Sequence, residues 1–166
     1  YANMFIGNDE YNGTDFNGTI DEVMIWNRSL TADEILMLNG SRAVYGNTTL
    51  ILDQPESSYP NNMTSVMYRN QTEVSNSQGL VGYWKFNNDT RDSSGFGNAG
   101  TMTGNNATPA QGRFGGAYSF DGINDWMTTP NTNSLNITTD FTLSVWIIFN
   151  SVQPAVGSQG HILSKT

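Results

Sequence analysis

The chain has no cysteine and a single histidine among its 166 residues. Without cysteine there are no disulfides, no thiolate metal sites and no cysteine nucleophile. Only seven residues are Lys or Arg, against fifteen Asp or Glu. No basic patch is therefore available for a phosphate backbone, and nucleic acid is excluded as the expected partner. The net charge of −8 argues equally against docking on anionic lipid. Apolar runs are only a few residues long, too short to span a bilayer as a helix. No signal peptide or anchor is evident and the first residue is Tyr1 rather than Met, which is the pattern expected of a piece of something longer.

What the chain does have is Asn, Thr, Ser and Gly. Ten N-x-S/T sequons occur, at Asn12, Asn17, Asn27, Asn39, Asn47, Asn62, Asn70, Asn88, Asn106 and Asn136. With roughly a fifth of the residues Ser or Thr, chance would give about four. The excess is the signal behind an expected extracellular or cell-surface location and glycosylation at these positions.

The pattern is mostly strand. Thr19 to Trp26 reads as a strand with Asp21, Val23 and Ile25 on one face and Ile20, Glu22, Met24 and Trp26 on the other. Both faces are rather apolar, so a central position is expected. Residues 30–40 predict a short helix. Thr31 and Glu34 form a capping box, Leu30 is placed to staple against Ile35, and Asn39-Gly40 closes it. Residues 41–78 read as a connector with one candidate strand at Thr49–Leu52 and turn chemistry from Asp53 to Asn61. From Gly79 onward, short strands alternate with Gly/Asn/Asp turns. The best defined is Phe141–Phe149, with Phe141, Leu143, Val145, Ile147 and Phe149 expected in the core. The fold class expected is all-β, an antiparallel β-sandwich with one short capped helix.

Two groups of motifs carry a resemblance. The run GTIDEVMIWNRSLTADEI of residues 18–35 resembles the closing strand and helix of a laminin-G-like (concanavalin A-like) jelly roll. The runs DSSGFGNAGT, GRFGGAYSFDGINDW and SLNITTDFTLSVWI resemble the opening half of the same family. An end precedes a beginning. The resemblance thus implies residues 1–40 as the C-terminal part of one copy, 41–78 as connector and 79–166 as the N-terminal part of a second copy. Half a sandwich would leave an apolar face in water and edge strands unpaired. Three arrangements answer this. A window across two neighbouring copies of a tandem array is the simplest. Strand complementation between subunits, as in a filament, is the second. The third has the two segments folding on each other within one chain.

Catalytic chemistry finds little support. His161 stands alone beside a strand-like segment, and no nucleophile motif is present. A retaining glycosidase needs two carboxyls about 5 Å apart in one cleft, and adjacent Asp21 and Glu22 are expected on opposite faces of their strand. No enzymatic activity is expected. In proteins the chain resembles, a Ca²⁺ often sits between an Asp of the closing strand and the opening strands. That implies Asp21 and Asp121 as metal ligands, with Asn124 and Asp125 secondary. The alternative for Asp121 is an Asx turn, and for Asp21 a pairing with Arg28 or water. The resemblance also implies carbohydrate binding on exposed aromatics. Trp26 and Trp84 are expected in the core, leaving Trp126 and Trp146 as candidate platforms. The function implied is an extracellular, non-enzymatic repeat of a surface adhesion or structural protein that binds glycans or neighbouring copies of itself, as a filament subunit does; the alternative is a calcium-dependent carbohydrate-binding module.

Overall fold

A computed structural model describes residues 3–8, 15–32, 34–35, 38, 78–104, 107–150 and 160–165. The candidate strand at Thr49–Leu52 and most of the 41–78 connector lie outside the described residues. The strands are β1 (Met4–Ile6), β2 (Asn17–Trp26), β3 (Leu80–Trp84), β4 (Thr101–Thr103), β5 (Thr108–Gln111), β6 (Gly116–Asp121), β7 (Trp126–Thr129), β8 (Thr142–Phe149) and β9 (Leu163–Lys165). They build an all-β antiparallel sandwich, as the alternation predicts. One sheet has the order β4-β7-β1-β9. In the other, β2 is central. It pairs along its length with β8, and on its other side with β6 at one end and β3 at the other, β5 lying beyond β6.

The two segments read from sequence as an end and a beginning share both sheets. Thr19 to Trp26 forms ladders with β3 and with β8 of the same chain. β1 likewise lies between β7 and β9. Of the three arrangements, the one observed within this chain is that in which the segments complete each other.

The main core lies between the sheets. Met4, Ile6 and Met127 come from one side, and Ile20, Val23, Ile25, Val81, Trp84 and Phe120 from the other. Trp84 is fully buried and its indole N–H donates to the Asn98 carbonyl at 3.0 Å. Gly82 makes room for this ring, since a Cβ there would come within 2.5 Å of it. A second cluster of Met24, Trp26, Leu38, Leu80 and Tyr83 covers the outer face of β2 and β3. Residues 32, 34, 35 and 38 are helical there. The capping box forms: the Thr31 N–H donates to Glu34 Oε2 at 2.7 Å and the Glu34 N–H to Thr31 Oγ1 at 3.3 Å. Leu30, expected to staple against Ile35, packs on the outer cluster, and Ile35 is exposed.

Two expectations about faces are corrected. Between Asp21 and Met24 the β2–β8 register slips by one residue, a β-bulge with Glu22 in the left-handed region at φ 51°. The alternation therefore changes phase. Ile20 joins Val23 and Ile25 in the main core, rather than sharing a face with Met24 and Trp26. Of the expected core row at β8, Val145 and Ile147 are half-buried against the main core, while Phe141, Leu143 and Phe149 are exposed, the Phe149 ring meeting that of Phe16 at 5.3 Å. An eight-residue strand is roughly 27 Å long, whereas the facing strands have three or four residues and reach about 10–14 Å. Strands that short can face only part of β8.

Candidate functional site

Asp21 is the residue around which the site is built. It is a cross-strand neighbour of Trp146, their Cα atoms paired in the β2–β8 ladder. Its carboxylate is 2% exposed. Asp21 Oδ2 accepts the Arg113 N–H at 2.7 Å and the Phe114 N–H at 3.1 Å. Successive backbone N–H groups aimed at one anion form a small nest. This fixes the Gly112–Gly115 turn between β5 and β6, which is also closed by the Gly112 N–H donating to the Gly115 carbonyl at 2.9 Å. Gly112 is required at that position. A Cβ would lie 2.4 Å from Asp21 Oδ2.

The fixed turn carries the Arg113 side chain over two rings. Its guanidinium carbon is 5.3 Å from the Trp146 ring centre and 5.4 Å from that of Phe114. Those two rings meet edge to face at 6.2 Å. The result is a cleft of about 270 Å³ lined by Thr19, Asp21, Gly112, Arg113, Trp146, Ile147 and Ile148. Trp146 was expected from sequence as an exposed platform, and it lines this cleft half-buried. Trp126, the other expected platform, lies half-buried in β7, paired with Thr103 of β4 in the other sheet. Trp26 and Trp84 are buried, as expected.

Of the four residues implied as metal ligands, Asp121, Asn124 and Asp125 share one turn and Asp21 lies apart from it. Asp121 pairs with Asn17, the first residue of β2, four positions from Asp21 and so about 13 Å along the strand. Asp121 Oδ1 accepts the Ile123 N–H at 2.9 Å, which is the Asx turn. Asp125 is buried and its Oδ2 accepts the Asp121 N–H at 3.1 Å. Asn124 is exposed in the same turn. Among the described residues no group of three or more acidic, His or Cys side chains is placed to hold a metal. A single calcium ion shared by Asp21 and Asp121 does not fit this arrangement. Asp21 does not pair with Arg28 either. Arg28 makes a two-point ion pair with Glu34, at 2.9 and 2.7 Å.

Glu22, expected to point away from Asp21, goes to a different partner. Its Oε2 accepts the hydroxyl of Tyr83 in the outer cluster. Of the ten sequons, Asn17, Asn27, Asn88 and Asn136 fall among the described residues. Asn27 and Asn88 are exposed, while Asn17 and Asn136 are half-buried. Asn12, Asn39, Asn47, Asn62, Asn70 and Asn106 lie outside them.

Sequence reasoning missed Arg113. Its signal was the GRFGG run, whose glycines mark a tight turn with the arginine at its tip. It also missed the polar frame below Trp84. Asp92 accepts the N–H groups of Tyr83, Ser94 and Asn98, and Asn98 in turn donates to the Val81 carbonyl at 2.7 Å.

Residues 1–36 match the concanavalin A-like lectin/glucanases superfamily. The matched stretch holds β1, β2 and the start of the helical turn, so it contains Asp21 but not the strands that bring Arg113 and Trp146 to it. No curated protein and no solved structure matches the chain.

Proposed function

We propose that this chain is a non-enzymatic recognition module of an extracellular or cell-surface protein, and that it binds glycans at the Trp146 cleft. The observation that supports this reading most is the placement of a half-buried indole beside a hydrogen-bonding side chain in a concave site. Ring faces of sugars carry C–H groups that pack on an indole, while their hydroxyls need polar partners alongside. The sequence had left a binding module and a structural repeat open, and an aromatic in a groove favours the first. The proposal involves binding without turnover, since Asp21 and Glu22 each hold a structural partner.

A glycan array with the full chain tests this. Binding is expected for the unaltered chain, lost with Trp146→Ala and kept with Trp126→Ala. Equal signals for the two variants, or none for the parent, would remove the cleft from the reading. A second reading, self-association as a structural repeat, is favoured by the exposed Phe141 just before β8 and Leu143, Ile148 and Phe149 on it. It predicts a concentration-dependent sedimentation coefficient.

A further inference from the structure

We infer that the Trp146 cleft selects a carboxylate-bearing sugar residue, a hexuronate, over its neutral counterpart. This rests on the glycan-binding reading above and names the ligand class.

Three observations carry it. The first is the state of Arg113. Arg113 is exposed, and no described group accepts a hydrogen bond from its guanidinium. An arginine has five N–H donors and no acceptor. Here that fork stands at the mouth of a cleft with its donors unspent. The second is its orientation. Cation–π contact with both Trp146 and Phe114 holds the guanidinium over the cleft and leaves its N–H groups available to a ligand. Part of the side-chain entropy of fixing the fork is thus met before a ligand arrives.

The third is the position of the neighbouring acid. Asp21 lines the same cleft. The residue is 2% exposed, and its Oδ2 accepts the N–H groups of Arg113 and Phe114, so the N–H dipoles of the turn partly offset its charge. Asp21 works as the anchor of the turn, and Arg113 is the charged group presented to a ligand. A neutral hydroxyl meets such a fork one bond at a time. A carboxylate meets it with two parallel, charge-assisted bonds, which are also the stronger kind. The cleft volume suits a single sugar ring.

The experiment is a titration of the full chain, followed by indole fluorescence and by the nuclear magnetic resonance signals of the Trp146 indole N–H and the Arg113 guanidinium Nε–H. The probes are methyl glucuronide and methyl galacturonide against methyl glucoside and methyl galactoside. Each pair differs only at C6. The uronides are expected to bind about tenfold more tightly, the scale of one charged hydrogen-bonding contact. Arg113→Met, which keeps the aliphatic stem over the rings and the backbone N–H to Asp21, should bring the uronides down to the neutral sugars. Arg113→Lys should recover part of the gap, having charge but no fork. Near-UV circular dichroism of both variants should match the parent. Equal affinity for the two classes, or discrimination that survives Arg113→Met, overturns this inference and leaves the glycan-binding proposal standing. Binding of neither class overturns both.

Discussion

β2 and β8 lie side by side, are the two longest strands and are similarly apolar, yet their fates differ. From Ile20 onward every residue of β2 is buried. Along β8 none is, and Phe141 just before it is 63% exposed. The difference is position. β2 has partners on both sides and a packed cluster on each face, whereas β8 has β2 on one side and short strands opposite. Alternation in a sequence says which residues share a face. It does not say how far the facing layer extends.

Substitutions can sharpen or break this contrast. The largest effect is expected for Trp84→Ala in β3, the partner of Val23. It removes a fully buried ring and its bond to Asn98, and should cost about 3–5 kcal/mol in urea unfolding. Ile25 and Leu143 are Cα partners across β2 and β8, so the same truncation compares the strands directly. Ile25→Ala should lose about 2–4 kcal/mol and Leu143→Ala about 1 kcal/mol or less. Equal losses would mean β8 is as well covered as β2.

The two aspartates make a second pair. Asp21→Ala strips two backbone N–H groups of their acceptor in a buried setting and should cost about 1–3 kcal/mol. Asp121→Ala removes the exposed turn contact to the Ile123 N–H, at about 0.5–1 kcal/mol. The smallest expected change is in the response to chelation. EGTA, which would lower the melting temperature if Asp21 and Asp121 shared a structural ion, should leave it unmoved.

The legible parts of the fold were those set by local chemistry. The Thr31/Glu34 capping box, the buried Trp26 and Trp84, and the central role of Thr19–Trp26 all follow from spacing and apolar content. The bulge at Glu22 was not legible, because nothing in the run IDEVMIW marks where an extra residue is inserted. That single residue moved Ile20 to the main core. The site was half legible. Trp146 could be picked by its face, and Asp21 was singled out, but for metal binding rather than as the anchor of a turn. Arg113 is ninety-two positions from Asp21 and meets it only through tertiary folding.

The central claim is that β2 joins both parts of the chain within one molecule. Mixing isotope-labelled and unlabelled chains and recording filtered nuclear Overhauser spectra tests it most directly. The account predicts cross-strand contacts from Met24 to Tyr83 and from Met24 to Ser144 inside the labelled chain, and none between chains. Contacts appearing only between labelled and unlabelled chains would mean that a second copy supplies the strand, and would contradict the account.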